Sequence, residues 1–280
     1  MGMTEFLELD GGRLAYDVTG EGPLIVLAHG MGDNRTAYRE VAASLAAAGY
    51  RVANVDQRGH GESSTGWPSY TRTDSAADLL AVVRHLGGPA VLVGHSFAGG
   101  AVTIAAAQEP ESVTAVVEIS PFTRKQKIDF GGLFSNARYR KGSTLLMGAG
   151  MFRSVGLWKR YLDHAYPGTK PAGHVEHIAA LDTELHKPGR MAVLSRMGMS
   201  APTDADARLG DIRCPALVVE GSLDPDWTDA RTEGEAIVAA MPSGLGRVEV
   251  IEGAGHYPHV QFPTEVAAAI LTFLKDNSRN

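Results

Sequence analysis

A serine held in a tight turn between a buried strand and a helix can act as a nucleophile, and residues 90–101 of this 280-residue chain read as such a unit. Ala90 to Val93 form a short apolar run fit for a buried strand. Gly94-His95-Ser96-Phe97-Ala98 then turns into a helix expected to begin near Phe97. Bulky neighbours would make strand and helix collide, so the small residues around Ser96 have a mechanical purpose. The spacing fits Gly-x-Ser-x-Gly except at its last position, where Ala98 stands, followed at once by Gly99 and Gly100. A serine hydroxyl is a weak nucleophile at neutral pH. To attack a carbonyl it needs a base within hydrogen-bond reach and donors for the developing oxyanion. The alternative is a plain strand–turn–helix with an incidental serine, and the rest of the chain has to decide.

The elements that would position Ser96 alternate in period. Thr4 to Leu9 and Arg13 to Thr19 read as a hairpin around Asp10-Gly11-Gly12. Leu24 to Ala28 is a buried strand ending in His29-Gly30-Met31-Gly32-Asp33-Asn34. A helix is expected over Arg35 to Ala48, closed by Gly49. Arg51 to Asp56 is a strand leading into the glycine-rich loop Gln57 to Ser63. Asp74 to Leu86 is helical, the elbow helix runs to about Gln108, and Val113 to Ile119 is a strand ended by Ser120-Pro121. After the residue 122–208 stretch come a strand at Ala216 to Glu220, a helix at Thr228 to Met241, a strand at Arg247 to Glu252 and a helix at Thr264 to Lys275.

This alternation calls for a mostly parallel central sheet with helices on both faces. Ligands in such sheets bind beyond the carboxyl ends of the strands, so the loops at 29–34 and 56–63 should share one edge with Ser96. The pattern breaks over 122–208, longer than the ~12–15 residues of an unstructured loop. Helical stretches are expected there at Thr144 to Met151, Val155 to His164, Gly173 to Leu185 and Gly189 to Met197. We therefore expect a core made of 1–121 and 209–280 and a helical cap at 122–208. Trp158 and the methionines and aromatics Met147, Met151, Phe152, Tyr161, Met191, Met197 and Met199 are expected either in its core or as an apolar pocket wall.

Composition narrows the classes. The chain is 44% apolar and 21% charged, as in globular proteins generally. A net charge of −6 without a basic run argues against a nucleic-acid partner. No run is long and apolar enough to span a bilayer, and no signal sequence opens the chain, so a cytoplasmic protein without a membrane partner is expected. The one cysteine, Cys214, excludes an internal disulfide. No dinucleotide or phosphate-loop motif and no paired His/Cys spacing appears, so neither cofactor nor metal is expected.

Taken together, the motifs resemble those of the α/β-hydrolase superfamily, and the resemblance covers nearly everything outside 122–208. It rests on His29-Gly30, on Asp56-x-Arg58-Gly59-x-Gly61-x-Ser63, on Gly94-x-Ser96, on Gly221-x-x-Asp224 and on Gly253-x-Gly255-His256, each after an expected strand. The resemblance implies a Ser96–His256–Asp224 triad. His256 would take the Ser96 proton, and Asp224 would fix the imidazole tautomer. It also implies an oxyanion hole from the backbone N–H groups of Met31 and Phe97. Asp226 competes for the acid role but reads as a solvated carboxylate near a helix N-terminus, and His259 competes less well than His256. His95 and His60 are expected to be structural, and Asp56 and Arg58 to brace loops. Substrate contacts are expected from His29, Trp158 and Tyr257. Dehalogenases and epoxide hydrolases of this fold carry Asp at the elbow, where this chain has Ser96.

The implied activity is hydrolysis of a carboxylic ester or lactone of an apolar small molecule through an acyl-serine, as in a carboxylesterase. The same triad would serve a thioesterase or a carbon–carbon bond hydrolase, and the same fold a slow-turnover small-molecule receptor. Turnover of p-nitrophenyl esters separates the enzymes from the receptor.

Overall fold

In the computed structural model, which describes residues 2–125 and 129–277, the apolar run Leu24–Ala28 is a strand buried along its whole length. Its side chains divide by parity. Leu24, Val26 and Ala28 enter one core and Ile25 and Leu27 the other, because successive strand residues point to opposite faces. The sheet therefore needs cover on both sides.

The elements follow in the order β1 (Glu5–Leu9), β2 (Gly12–Thr19), β3 (Leu24–Ala28), α1 (Arg39–Ala47), β4 (Arg51–Val55), α2 (Arg72–His85), β5 (Ala90–His95), α3 (Phe97–Gln108) and β6 (Val113–Ile119). Six helices intervene: α4 (Phe130–Ser135), α5 (Ala137–Phe152), α6 (Val155–Ala165), α7 (His174–Leu185), α8 (Arg190–Met199) and α9 (Thr203–Asp206). Then come β7 (Ala216–Gly221), α10 (Ala230–Ala240), β8 (Gly246–Ile251), α11 (Pro258–Gln261) and α12 (Pro263–Asn277). The strands form one sheet in the order β1-β2-β4-β3-β5-β6-β7-β8. Strands β3 to β8 pair in parallel, and β2 runs antiparallel to both β1 and β4. Leu79, Val83, Val102 and Ile237 bring α2, α3 and α10 onto one face, and Val41, Leu45, Val266 and Phe273 bring α1 and α12 onto the other. Each such side chain contributes roughly 1.5–3 kcal/mol by burial.

Two local expectations shift for physical reasons. The helix expected from Arg35 opens as a 3-10 turn over Arg35–Tyr38, because Asn34 Oδ1 accepts the Thr36 N–H at 2.9 Å and Asp17 and Asp56 tie down the Arg35 guanidinium. Helix α5 starts earlier than Thr144. Asn136 caps it by accepting the Tyr139 N–H at 3.1 Å. Gly142 is the residue that lets the helix approach the backbone of Pro225. A third apolar cluster, with Trp158, Tyr161, Tyr166, Leu181 and Leu194, binds the inserted helices to Tyr257 in the loop after β8. No helix among the described residues is long and apolar enough to cross a membrane.

Two glutamates lie wholly buried on adjacent strands, Glu118 on β6 and Glu220 on β7. Glu118 accepts from the Thr103 hydroxyl at 2.6 Å and from the Thr123 hydroxyl. Burial pushes its carboxyl up to about 7 against an ordinary 4.5, although both hydroxyls pull it down. A raised acid stabilises the fold below its unfolded value, and that contribution is lost as pH rises through the folded one. Glu118→Gln should therefore flatten the fall in melting temperature between pH 4.5 and about 7. Melting curves of both proteins across that window check this, and an unchanged slope would assign the pH dependence elsewhere.

Candidate active site

The turn after β5 forces Ser96 to φ 54°, ψ −115°, a region a residue with a Cβ rarely occupies. It is held there by its neighbours. The Ser96 N–H donates to Ile119 O at 2.9 Å, and Ser96 O accepts from the Gly99 and Phe122 N–H groups, each at 3.0 Å. A Cβ at Gly94 would come within 2.3 Å of Ala98 O, so only glycine fits there. Phe97 is the first residue of α3, and a helix's first N–H groups have no intrahelical partner.

Ser96 Oγ lies 3.0 Å from His256 Nε2, and His256 Nδ1 lies 2.8 Å from Asp224 Oδ2. With the proton on Nδ1 donated to the carboxylate, the Nε2 lone pair accepts from the Ser96 hydroxyl. All three side chains are buried. Burial opposes the imidazolium of His256, but Asp224 and Asp226 outweigh it and hold its pKa above the ordinary histidine value.

Asp226 is not the solvated carboxylate expected from the sequence. It is buried, its Oδ2 lies 3.2 Å from His256 Nδ1, and that oxygen accepts from the Tyr161 hydroxyl at 2.6 Å. Its backbone N–H donates to Asp224 Oδ1 at 2.9 Å, so a two-residue turn folds both carboxylates toward one ring. Burial pushes the Asp226 carboxyl up to about 6. The His256 charge and the Tyr161 hydroxyl pull it down, and the Asp224 charge pushes it up. Asp224, Asp226 and His256 also form the one group with metal-ligand spacing among the described residues, their donor atoms within 4.8 Å of one another. The contacts above already engage Nδ1 and both Oδ2 atoms with each other and with Tyr161.

The loop after β3 approaches Ser96 at Gly30, where a Cβ would lie 3.0 Å from Ser96 Cβ and 2.7 Å from His95 Nδ1. Met31 follows it. Two neutral histidines shape this loop. His60 Nε2 accepts the Gly32 N–H at 2.9 Å, and His29 Nε2 accepts the Gln57 N–H at 3.0 Å. Each then carries its proton on Nδ1, facing Arg58 O and Gly30 O respectively. Burial lowers both, His60 to about 3. Both ring nitrogens of His29 are thus engaged by main chain, so it shapes the loop and has none left for the substrate contact expected of it. His95 donates from Nε2 to His256 O at 2.8 Å and packs beneath the elbow, while His259 stacks on Tyr38 at 4.5 Å. Arg58 forks onto Asp78 at 2.7 and 2.8 Å, a loop brace as expected.

Above the site, Trp158 stacks on Tyr161 at 5.1 Å and reaches the loop after β3, where a Cβ on Gly32 would come within 2.6 Å of its ring. Tyr257 stands edge-on to His256 at 5.2 Å and stacks on Tyr166 at 4.7 Å. Phe122 packs between Trp227 and His256. These groups leave Ser96 only 4% exposed. Met147, Met151, Phe152 and Met199, expected inside the inserted segment, instead point to solvent, while Met191 and Met197 are buried. The sequence reading placed Tyr161 in the core or pocket wall of the inserted segment but not against His256, and it missed Phe122 there, with Trp227 packed behind it. The cue for Tyr161 was its helical spacing from Trp158, three residues apart.

With this geometry in view, a model of the alpha/beta hydrolase family matches residues 25–269. Over 282 residues the chain is 28% identical to 2-(acetamidomethylene)succinate hydrolase of Mesorhizobium japonicum, covering 95% of this chain and 94% of that one. It is 28% identical to epoxide hydrolase A of Mycobacterium tuberculosis, over 96% of each chain. It is 32% identical to pimeloyl-[acyl-carrier protein] methyl ester esterase of Chromobacterium violaceum, over 94% of each.

The Tyr161 hydroxyl is one of the groups that hold the Asp226 pKa down. Tyr161→Phe should raise it above about 6. Carboxyl 13C titration of the two proteins reads this directly, and superimposable Asp226 curves would mean the hydroxyl bond does not govern that charge.

Proposed function

Because the chain belongs to the alpha/beta hydrolase family, we propose that it is a serine hydrolase cleaving a carboxylic ester or lactone of an apolar small molecule through an acyl-Ser96 intermediate. The observation that carries this reading is the unbroken chain of bonds from Asp224 through His256 to Ser96 Oγ. As Oγ attacks the acyl carbon, His256 Nε2 takes its proton and Asp224 steadies the imidazolium. The oxyanion is met by the N–H groups of Met31 and Phe97, each such donor being worth about 3 kcal/mol in the transition state. His256 then protonates the leaving alkoxide as the ester C–O bond breaks. A water deprotonated by the same nitrogen releases the acid and restores Ser96. Epoxide opening, the chemistry named for one relative, uses a carboxylate nucleophile in enzymes of this fold, and Ser96 stands in that place.

In this reading residues 122–208 act as a cap over a core of 1–121 and 209–280. Ser96 is nearly closed off, so substrate entry requires the cap to part from the loop carrying His256 and Tyr257. Trp158 and Tyr257 then line the acyl side. A cap that selects the substrate while the core does the chemistry accounts for the wide range of activities named among the relatives.

Ser96→Ala should lower p-nitrophenyl ester turnover by several orders of magnitude while the protein stays folded. Asp224→Asn should cost on the order of 10⁴-fold by offering His256 the wrong partner. A fluorophosphonate probe should label the parent protein and not the serine variant. Turnover that survives Ser96→Ala in a clean preparation would end the proposal.

Trp158→Ala opens space beside the oxyanion-side loop. It should shift preference toward longer acyl chains while a short acetate ester is little affected, since one methylene in such a pocket is worth about 1–3 kcal/mol of discrimination. A chain-length series tests this. A proportional loss on every ester, with the fold intact, would make Trp158 part of the catalytic apparatus.

A further inference from the structure

Charge is distributed unevenly along the inserted helices. Of the chain's 26 lysines and arginines and 32 acidic residues, residues 124–160 hold nine and one, the one being Asp129. Helix α5 turns Gly142, Leu145 and Ala149 inward. Its opposite face, with Arg140, Lys141, Thr144, Met147 and Met151, is exposed along the whole helix at the spacing of a single stripe. Arg140 Nη1 donates to Leu133 O at 3.1 Å, which sets the exposed Phe134 of α4 beside the basic end of the stripe. Phe152 and Arg153 continue the other end. Phe134 is 87% exposed, Phe152 71%, Met151 66% and Met147 61%. Arg124 and Lys159 are held in ion pairs with Glu233 and Asp182, whereas Arg140, Lys141 and Arg153 face solvent.

We propose that this outer face of α4 and α5 docks the protein on an anionic lipid surface. Large apolar side chains that protrude as separate knobs enter a fluid acyl boundary without needing a shaped complement, and the surrounding cations are drawn to anionic headgroups. A second copy of the chain offering the same face would oppose like charges. An acidic protein would match the charge but would need a pocket for each knob. The expectation of no membrane partner rested on the lack of a spanning segment, which surface docking does not require. The inner face of α5 lies on the loop that carries Asp224 and Asp226, so the lipid surface would be one helix diameter, about 10 Å, from the acid loop.

Flotation of the full chain with lipid vesicles tests this. The protein should float with vesicles of phosphatidylglycerol and phosphatidylcholine at low salt, should be released as salt rises, and should not float with phosphatidylcholine alone. Arg140→Glu with Lys141→Glu should lower binding to the anionic vesicles by ~10-fold or more. Met147→Ser with Phe152→Ser should weaken it as well, with the melting transition of both variants unchanged. Binding is read without turnover, so a chain inactive on every ester would leave this result standing. Absence of flotation, equal flotation on both vesicles, or insensitivity to both variant pairs would overturn the proposal. So would capture by poly-glutamate without flotation, which would assign the face to an acidic protein.

Discussion

The main-chain conformation at Ser96 is the constraint on which the rest of the site depends. A residue with a Cβ at φ 54° costs of order 1–3 kcal/mol, which the structure surrounding Ser96 has to offset. Its N–H is satisfied by Ile119 at the end of β6, and its carbonyl by Phe122 and Gly99. The parallel pairing of β5 with β6, the glycine at position 94 and the course of the chain after Pro121 therefore serve one end. They keep Oγ turned out of the strand and toward His256. The same hydrogen bond brings Phe122 beside the histidine ring, so the start of the inserted segment is fixed by the elbow.

Five buried histidines surround this point, and their surroundings give them different chemistry. His29 and His60 each accept a backbone N–H, so protonating either would leave that N–H without its acceptor. His95 and His259 are buried among other rings, and burial lowers both, His259 to about 3. Among the five, only His256 has a carboxylate in hydrogen-bond contact, and only its pKa is raised; Asp33 acts on His29, His60 and His259, but burial outweighs it. Among these five, the ring held ready to take a proton is thus the one that touches Ser96. The other four keep their shape because they do not charge. Loop rigidity and the proposed acid–base role fall on separate histidines, divided by their hydrogen-bond partners and not by their distance from the serine.

The strands and the elbow were legible because their signals are local. Leu24–Ala28 is an unbroken apolar run, Val113–Ile119 is apolar apart from Thr114 and Glu118, and the elbow helix begins at Phe97 and ends at Gln108 as its spacing suggests. The approach of Ser96, His256 and Asp224 was implied by the resemblance carried by Gly94-x-Ser96, Gly221-x-x-Asp224 and Gly253-x-Gly255-His256. What was illegible depends on contacts made at long range. Asp226 looks like a solvated carboxylate until Tyr161, 65 residues away in sequence, covers it. The helix expected from Thr144 begins at Ala137, with Gly142 packed against the backbone of Pro225. Met147 and Met151 look like core until the helix is rotated by its buried face, Leu145 and Ala149. The charge segregation was present in the sequence throughout, but a net charge of −6 averages it away.

The Asp224-Pro225-Asp226 turn is where core, inserted helices and chemistry meet, and its energetics explain its form. Two carboxylates beside one imidazole leave a net negative charge even when the ring is protonated, and in a buried site such a surplus is costly. The structure spreads the load unequally. Asp224 takes the Nδ1 hydrogen bond at 2.8 Å, while Asp226 stands off at 3.2 Å and is satisfied instead by Tyr161. One proton on Nδ1 serves one strong acceptor, so the second carboxylate acts chiefly through its charge, favouring imidazolium. That charge is supported by a hydroxyl from α6, and α6 separates from the core if the inserted helices lift. Closure therefore acts on His256 in two directions, burial opposing the imidazolium and the Tyr161-supported carboxylate favouring it.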